Sequence, residues 1–398
     1  MRILISAGEA SGEMYGAQLI GALRRRDPSI EFFGVGGDRM RAAGCDTVVD
    51  AKDLAVVGIT EILSHLPKIW GLYKHLIREA DRRKPDLAIV IDSPAFNWRV
   101  ARAMKERRIR TVYYVAPQFW AWRQGRVRLI RDYIDKALVI FPFEEKFYRD
   151  RGVDATFVGH PLVDLSMPTV PREEFAIRWG LNPAKTWITL MPGSRRKEFL
   201  LNLPEMRNAV RRMSRDFQFL LPVASTLDRT WANEEVFHSS HSRRNRIDSL
   251  VALTNETLPA LHHSRAGIIA SGTATVEAAM MNLPFVMVYR VSSLTYALGK
   301  RTVKVPRFAM VNLIAGREVV PELVQSDFTA ANVVARINEI LPDGPARDRM
   351  LQGLAEVKAR LQPEGVNAHP ADRAAEIILN LLVEERTPRP PSSASAME

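Results

Sequence analysis

The chain opens Met1-Arg2-Ile3-Leu4-Ile5-Ser6-Ala7-Gly8-Glu9-Ala10-Ser11-Gly12-Glu13-Met14-Tyr15, and the architecture follows from this stretch. Arg2–Ser6 is a short apolar run that reads as a strand, Ala7–Glu13 is a Gly/Ser loop, and Tyr15–Arg25 reads as an amphipathic helix. The same alternation recurs downstream. Glu31–Gly34, Asp86–Ile91, Thr111–Val115 and Ala137–Phe141 read as further strands, with helices predicted over Trp98–Arg107 and Arg123–Tyr133. Strands that alternate with helices argue for an α/β fold with a parallel sheet covered on both faces.

Between Pro161 and Pro171 the pattern pauses: Pro161, Pro168 and Pro171 fall in a stretch with little periodicity, which reads as a linker. A second α/β series then runs through Trp187–Leu190, Phe217–Val223, Ala266–Ala270 and Phe285–Tyr289. At 398 residues, and about 150 residues per domain, two or three units are expected. The spacing predicts an N-terminal domain over 1–165, a second over 166–345, and C-terminal helices over 346–386. The segment 387–398 (Thr387-Pro388-Arg389-Pro390-Pro391-Ser392 onward) has the composition of a disordered tail. Two similar α/β units joined by a linker place the expected ligand cleft between them.

A content of 46% hydrophobic and 25% charged residues is that of a globular protein. The single Cys45 excludes an intrachain disulfide framework and a multi-cysteine zinc site. No charged n-region precedes a long apolar run at the N-terminus, and no stretch reaches the ~18 continuous apolar residues of a membrane span, so a cytoplasmic protein is expected. The net charge of +11 fits nucleic acid, an anionic lipid surface or phosphorylated substrates equally well. Because Lys and Arg are spread along the chain, with no helix-turn-helix or RNP-like signature, nucleic acid is not an expected partner.

Several strand-to-helix turns could carry chemistry. The Gly8–Gly12 loop leaves room for close ligand approach and offers free N–H groups to an anion, or is a structural turn; it lacks the G-x-G-x-x-G spacing of a dinucleotide site. Gly34-Val35-Gly36-Gly37 follows the second strand, also the wrong place for that fingerprint. Asp92 ends the apolar run Leu87–Ile91, where ligands bind in open α/β sheets, and is either a general base or an N-cap. In the second half, Pro192-Gly193-Ser194-Arg195-Arg196-Lys197-Glu198 sets a Gly-Ser turn among three cations, a cradle for a diphosphate. Ser271-Gly272-Thr273-Ala274-Thr275-Val276-Glu277 feeds small hydroxyl residues into a second helix start. Two such turns in one domain favour a nucleotide diphosphate. No D-x-D or H-E-x-x-H occurs, and the eight histidines are scattered, so no metal site and no cofactor are expected and Arg, Lys and helix N-termini would neutralise the diphosphate.

One amphipathic stripe stands apart. Ile59, Ile62, Leu63, Leu66, Ile69, Trp70 and Tyr73 recur at helical spacing, with Pro67 among them and Lys68, Lys74, His75 and Arg78 around them. Such a stripe packs on a core or lies on a membrane surface; Ile62, Leu63, Leu66, Ile69 and Trp70 are the candidates for membrane contact.

These residues fall in blocks that resemble the lipid-A-disaccharide synthase family. The blocks are A-G-E-A-S-G at Ala7–Gly12, V-G-I-T-E at Val57–Glu61, I-D-S-P-A-F-N at Ile91–Asn97 and Y-V-A-P-Q-F-W-A-W-R at Tyr114–Arg123. They continue with F-P-F-E at Phe141–Glu144, V-G-H-P-L-V-D at Val158–Asp164, P-G-S-R at Pro192–Arg195, A-S-G-T-A-T-V-E at Ala270–Glu277 and N-L-I-A-G-R-E at Asn312–Glu318. Phe199 departs from the β-branched aliphatic residue more common in the family at that place.

The resemblance implies a GT-B fold: two Rossmann-like domains facing a central cleft, with a C-terminal helix that crosses back. It implies transfer of a diacylglucosamine unit from UDP-2,3-diacylglucosamine to 2,3-diacylglucosamine 1-phosphate (lipid X), giving a β(1→6) disaccharide and UDP. It places the enzyme peripherally on the inner face of the inner membrane and leaves the oligomeric state open. By the same resemblance Asp92 is the base, Arg195 binds phosphate and Asn312 is a polar residue needed for activity. Gly12, Gly193, Ser194, Ser271, Gly272, Thr273 and Thr275 would line the substrate and UDP sites, Glu277 would hold the ribose, and Glu318 and Gln325 would lie near the nucleotide. Which cation meets the acceptor phosphate, Arg123, Arg126 or another, stays open at this point. The rival reading is another GT-B enzyme acting on a UDP-sugar, such as a UDP-N-acetylglucosamine 2-epimerase, which should lack the W-A-W-R block.

Overall fold

A computed structural model describes residues 1–54, 59–121, 124–163, 165–237, 250–292, 307–365 and 368–386; the side chains of 10, 59–66 and 383–386 fall outside the description. Arg123, the segment 387–398 and the side chains of Ile62, Leu63 and Leu66 therefore lie outside the described residues. The chain divides into two compact units, Met1–Pro161 with the chain from Pro363 onward, and Leu162–Gln362.

In the first unit the strands are β1 (Arg2–Ala7), β2 (Glu31–Gly36), β3 (Cys45–Asp50), β4 (Leu87–Ile91), β5 (Arg110–Tyr114), β6 (Lys136–Val139) and β7 (Ala155–Phe157). All pair in parallel, in the order β3-β2-β1-β4-β5-β6-β7. The second unit has β8 (Thr186–Met191), β9 (Phe217–Pro222), β10 (Val251–Thr254), β11 (Ala266–Ala270), β12 (Phe285–Tyr289) and β13 (Glu322–Val324). These too are parallel, in the order β10-β9-β8-β11-β12-β13. The central strands are apolar at nearly every position because helices cover both faces; β4 and β11 are buried from end to end.

Each order reverses direction once, between β1 and β4 in the first sheet and between β8 and β11 in the second. At such a switch point the connections leave on opposite sides, and a crevice opens at the carboxyl ends of the two strands. The loops that follow those four strands are Gly8–Glu9, Asp92–Ser93, Pro192–Arg195 and Ser271–Gly272; the helix after β1 already begins at Ala10, so Gly12 lies in its first turn and not in the longer loop expected from the sequence.

The C-terminal helices are shared between the units. Pro345–Arg360 belongs to the second unit, whereas Pro370–Arg386 returns to the first and packs on the helix Ala10–Arg26. Asp372 pairs there with Arg25 (2.8 Å) and Arg26 (2.9 Å), and Arg110 donates to the Leu381 carbonyl at 2.7 Å.

The stripe around Trp70 belongs to one long helix, Ile59–Arg83, which continues through Pro67. Leu76 and Ala80 are buried, and Ile69, Leu72, Tyr73 and Ile77 are half-buried against the core of the first unit. Ile69 is thus a correction: it lies on the inward face instead of the outer one. Trp70, one position on and about 100° around the helix, is 50% exposed.

Candidate active site

At the switch point of the first unit, Ala7 pairs with Ile91, so the loops after β1 and β4 leave side by side. A Cβ on Gly12 would lie 3.7 Å from the Asp92 Cβ, and one on Gly8 would lie 2.6 Å from the Ser93 hydroxyl. A side chain at Gly8 would force the Ser93 side chain to move. Asp92 and Ser93 both have left-handed backbone angles, φ +48° and +46°. For residues other than glycine this costs roughly 1–2 kcal/mol each, and surrounding contacts must hold the turn in place. The helix Pro94–Glu106 takes Ser93 as its N-terminal flank and no side chain caps it, so Asp92 is not the N-cap.

Those contacts converge on one carbonyl. Asn97, fully buried, donates from Nδ2 to the carbonyls of Asp92 (2.8 Å), Ile91 (2.9 Å) and Ser6 (3.3 Å), and its Oδ1 accepts the Ser6 hydroxyl at 2.7 Å. Tyr113, at the end of β5 and also fully buried, donates its hydroxyl to the Asp92 carbonyl at 2.7 Å. Burial pushes the Tyr113 hydroxyl well above its ordinary range, which keeps the proton it donates.

Beside this turn, Tyr114–Ala121 folds over the end of β5. Trp120 is buried and donates from Nε1 to Glu144 at 2.8 Å. The other Glu144 oxygen accepts the backbone N–H groups of Ile140 (3.2 Å) and Phe141 (3.1 Å). Three donors surround this buried carboxyl, and burial still outweighs them and raises its pKa to about 7. Glu13 does similar work elsewhere: it accepts the Arg39 N–H at 2.7 Å, over the start of the helix Asp38–Ala42.

The second switch point repeats the plan. Met191 pairs with Ile269, so Pro192–Arg195 and Ser271–Gly272 are neighbours. Gly193 has φ +136° and Gly272 φ +141°; a Cβ on Gly272 would meet nothing within 4 Å, which leaves the space above that turn open. Buried Asn202 joins the carboxyl ends of β8 and β12, donating to the Pro192 carbonyl (2.8 Å) and accepting the Arg290 N–H (3.1 Å). Thr226 donates to the Ser194 carbonyl at 2.6 Å. Of the three cations, Arg196 stacks on Trp231 (4.9 Å), while Arg195 stays 70% exposed and pairs with Glu198 at 3.2 Å.

Ser271 donates to the Phe308 carbonyl (2.8 Å) and Thr275 to the Gly272 carbonyl (2.8 Å). Both hydroxyls thus shape the turn, and the helix Thr273–Met280 presents its first N–H groups beyond it. Glu277 lies one turn into this helix, and burial raises its carboxyl above the ordinary value. Its carboxyl has no hydrogen-bond partner among the described residues.

Asn312 is buried, and its carboxamide is fully used. Its nitrogen donates to the Val320 carbonyl and to Glu322 (both 2.8 Å), and its oxygen accepts the N–H groups of Val319 (2.7 Å) and Val320 (3.0 Å). Glu322 in turn accepts the N–H groups of Phe308 (2.9 Å) and Ala309 (3.0 Å). The pair orders the backbone that meets Ser271. Gln325 has a left-handed φ of +54° and its N–H donates to the Tyr289 carbonyl at 2.9 Å, at the carboxyl end of β12. Glu318 is exposed in the turn after Gly316.

Asn97, Tyr113, Glu144, Asn202 and Glu322 were not singled out from the sequence as site residues. Asn97 and Glu144 stand in quoted blocks, but only their bonds reveal what they hold. Among the described residues, no three His, Cys, Asp or Glu side chains are grouped as they would be to hold a metal ion.

Comparison with known proteins agrees with this architecture. The family model described as lipid-A-disaccharide synthetase matches residues 3–374. A lipid-A-disaccharide synthase from Koribacter versatilis is 53% identical over 382 residues, covering 96% of this chain and 98% of its own. Another, from Myxococcus xanthus, is 41% identical over 384 residues, covering 96% and 97%. Among solved structures, S. aureus MnaA with UDP superposes with a TM-score of 0.63 at 14% identity, covering 97% of this chain and 96% of that one. The Neisseria meningitidis UDP-GlcNAc 2-epimerase bound to UDP-GlcNAc gives 0.61 at 12% identity, covering 96% and 100%. At such identities the structural likeness speaks for the fold alone. Sequence and fold together lead to one conclusion: the chain belongs to the lipid-A-disaccharide synthase family, glycosyltransferases of lipid A biosynthesis with a GT-B fold.

Proposed function

We propose that this enzyme transfers 2,3-diacylglucosamine from UDP to the 6-hydroxyl of 2,3-diacylglucosamine 1-phosphate, with inversion at the anomeric carbon. The observation that carries the reading is Asp92, a carboxylate held at a sheet switch point in a backbone conformation that is costly unless enforced. Asp92 takes the proton of the acceptor hydroxyl as its oxygen attacks the anomeric carbon. The bond from that carbon to the β-phosphate oxygen breaks, and UDP leaves with the electron pair. Attack opposite the leaving group gives the β(1→6) linkage.

The second unit suits the leaving group. Arg195 and the N–H groups at the start of Thr273–Met280 would neutralise the diphosphate as its charge develops. Gly193, Ser194, Ser271, Gly272 and Thr275 shape the two turns around it, and Glu277 would accept the ribose hydroxyls. Gln325 and Glu318 would flank the nucleotide, and Gly12 would leave room beside Asp92. Both substrates are anionic lipids, which a chain of net charge +11 suits. Exposed Trp70, with Lys74 5.7 Å above its ring, would rest on the inner-membrane surface that supplies them.

Asp92→Asn tests the reading. The variant should fold and bind UDP while turnover falls on the order of 10²–10⁴-fold, the usual contribution of a general base. Near-wild-type turnover at neutral pH would remove Asp92 from the role.

A further inference from the structure

We propose that Asn97 and Tyr113 are positioning residues for the reaction: together they clamp the Asp92 carbonyl and thereby aim its carboxylate. The proposal rests on the assignment of Asp92 as base. Two adjacent residues with left-handed angles would relax toward ordinary backbone if nothing held them, and the Asp92 side chain would swing with its Cα. Two buried donors oppose that motion at a single oxygen, Asn97 Nδ2 at 2.8 Å and the Tyr113 hydroxyl at 2.7 Å.

The donors come from different places, which is what makes the clamp rigid. Asn97 lies in the first turn of the helix that leaves the strained turn, and Tyr113 lies on the neighbouring strand β5, paired with Val90 of β4. Asn97 is itself held by the Ser6 hydroxyl at 2.7 Å, on the strand across the switch point. β1, β4, β5 and the helix Pro94–Glu106 therefore meet at the peptide that carries the base. Neither Asn97 nor Tyr113 has exposed surface, so both act through Asp92 and not on substrate.

The test combines Tyr113→Phe, which removes one hydroxyl, and Asn97→Ala with Asp92→Asn in a double-mutant cycle. Each single clamp variant should lower kcat about 10- to 100-fold, the scale of a misplaced catalytic group, with little change in KM for the UDP-sugar. The pH at which the acidic limb of kcat turns down should also move. In the Asp92→Asn background the clamp variants should cause no further loss, because their effect passes through that carboxylate.

Equal losses in both backgrounds, or a lowered melting temperature with kcat and its pH profile unchanged, would overturn the clamp. Should Asn97→Ala fail to fold, Tyr113→Phe alone decides by the same criteria. If Asp92→Asn keeps normal turnover, the base assignment fails first; if it loses turnover while the clamp variants do not, only the clamp fails.

Discussion

Arg195 pairs with Glu198 at 3.2 Å while most of its side chain stays exposed. Exposed pairs of this kind are worth about 0–1 kcal/mol, so the Glu198 pair itself does little to oppose an arriving diphosphate. Arg195→Ala should then weaken UDP binding by about 1.5–3 kcal/mol, roughly 10- to 150-fold, and lower turnover as well. UDP inhibition of the variant measures it, and an unchanged inhibition constant would take Arg195 away from the phosphates. The turns that carry Arg195 and Asp92 were legible because each follows an apolar strand run, the edge where ligands bind in such folds. The surroundings of Asn312 were not legible, because a sequence cannot show that four hydrogen bonds engage its amide.

Elements differ in how plainly the sequence announces them. β1, β4 and β11 are runs of buried apolar residues and stand out against their flanks. β3 alternates weakly, and β7 and β13 are three residues long, too short for periodicity to register. The helix Pro142–Arg149 illustrates what only contacts reveal. Its Glu144 reaches back to the Ile140 and Phe141 N–H groups and across to Trp120, tying the loop after β5 to the end of β6.

That carboxyl makes a pH prediction. Its ordinary value of 4.5 rises to about 7 in the fold. Between those values the folded chain binds more protons than the unfolded one, so stability falls as pH rises across the window. Glu144→Gln removes the titrating group and should flatten that part of the curve of unfolding free energy against pH, as measured by denaturant titration. An unchanged slope from about pH 4.5 to 7 would contradict it.

On the scale of the molecule, the two α/β units were readable from the alternation of strand and helix, whereas the proline-bearing stretch read as a linker falls, from Leu162 onward, inside the second unit. The return of Pro370–Arg386 to the first unit was implied by family resemblance alone, since its contacts with Ala10–Arg26 join residues more than 340 positions apart, as Arg25 and Asp372 do. Periodicity cannot tell which flank of a stripe meets the core, and Ile69 packs inward with Leu72 and Ile77. Lipid contact is accordingly argued from Trp70. Trp70→Ser with Lys74→Glu should cost about 2–4 kcal/mol of affinity for anionic vesicles while the melting temperature barely moves, because Trp70 is half exposed. Sedimentation with vesicles and thermal unfolding on the same protein check it; undiminished vesicle binding would remove this face from the membrane.

The most direct measurement supplies the purified enzyme with UDP-2,3-diacylglucosamine, with and without 2,3-diacylglucosamine 1-phosphate, and follows UDP and lipid products together. UDP should appear only with the acceptor, in equal amount to a β(1→6)-linked disaccharide 1-phosphate. UDP released or the sugar epimerised without acceptor, or UDP formed with no disaccharide, would contradict the assignment.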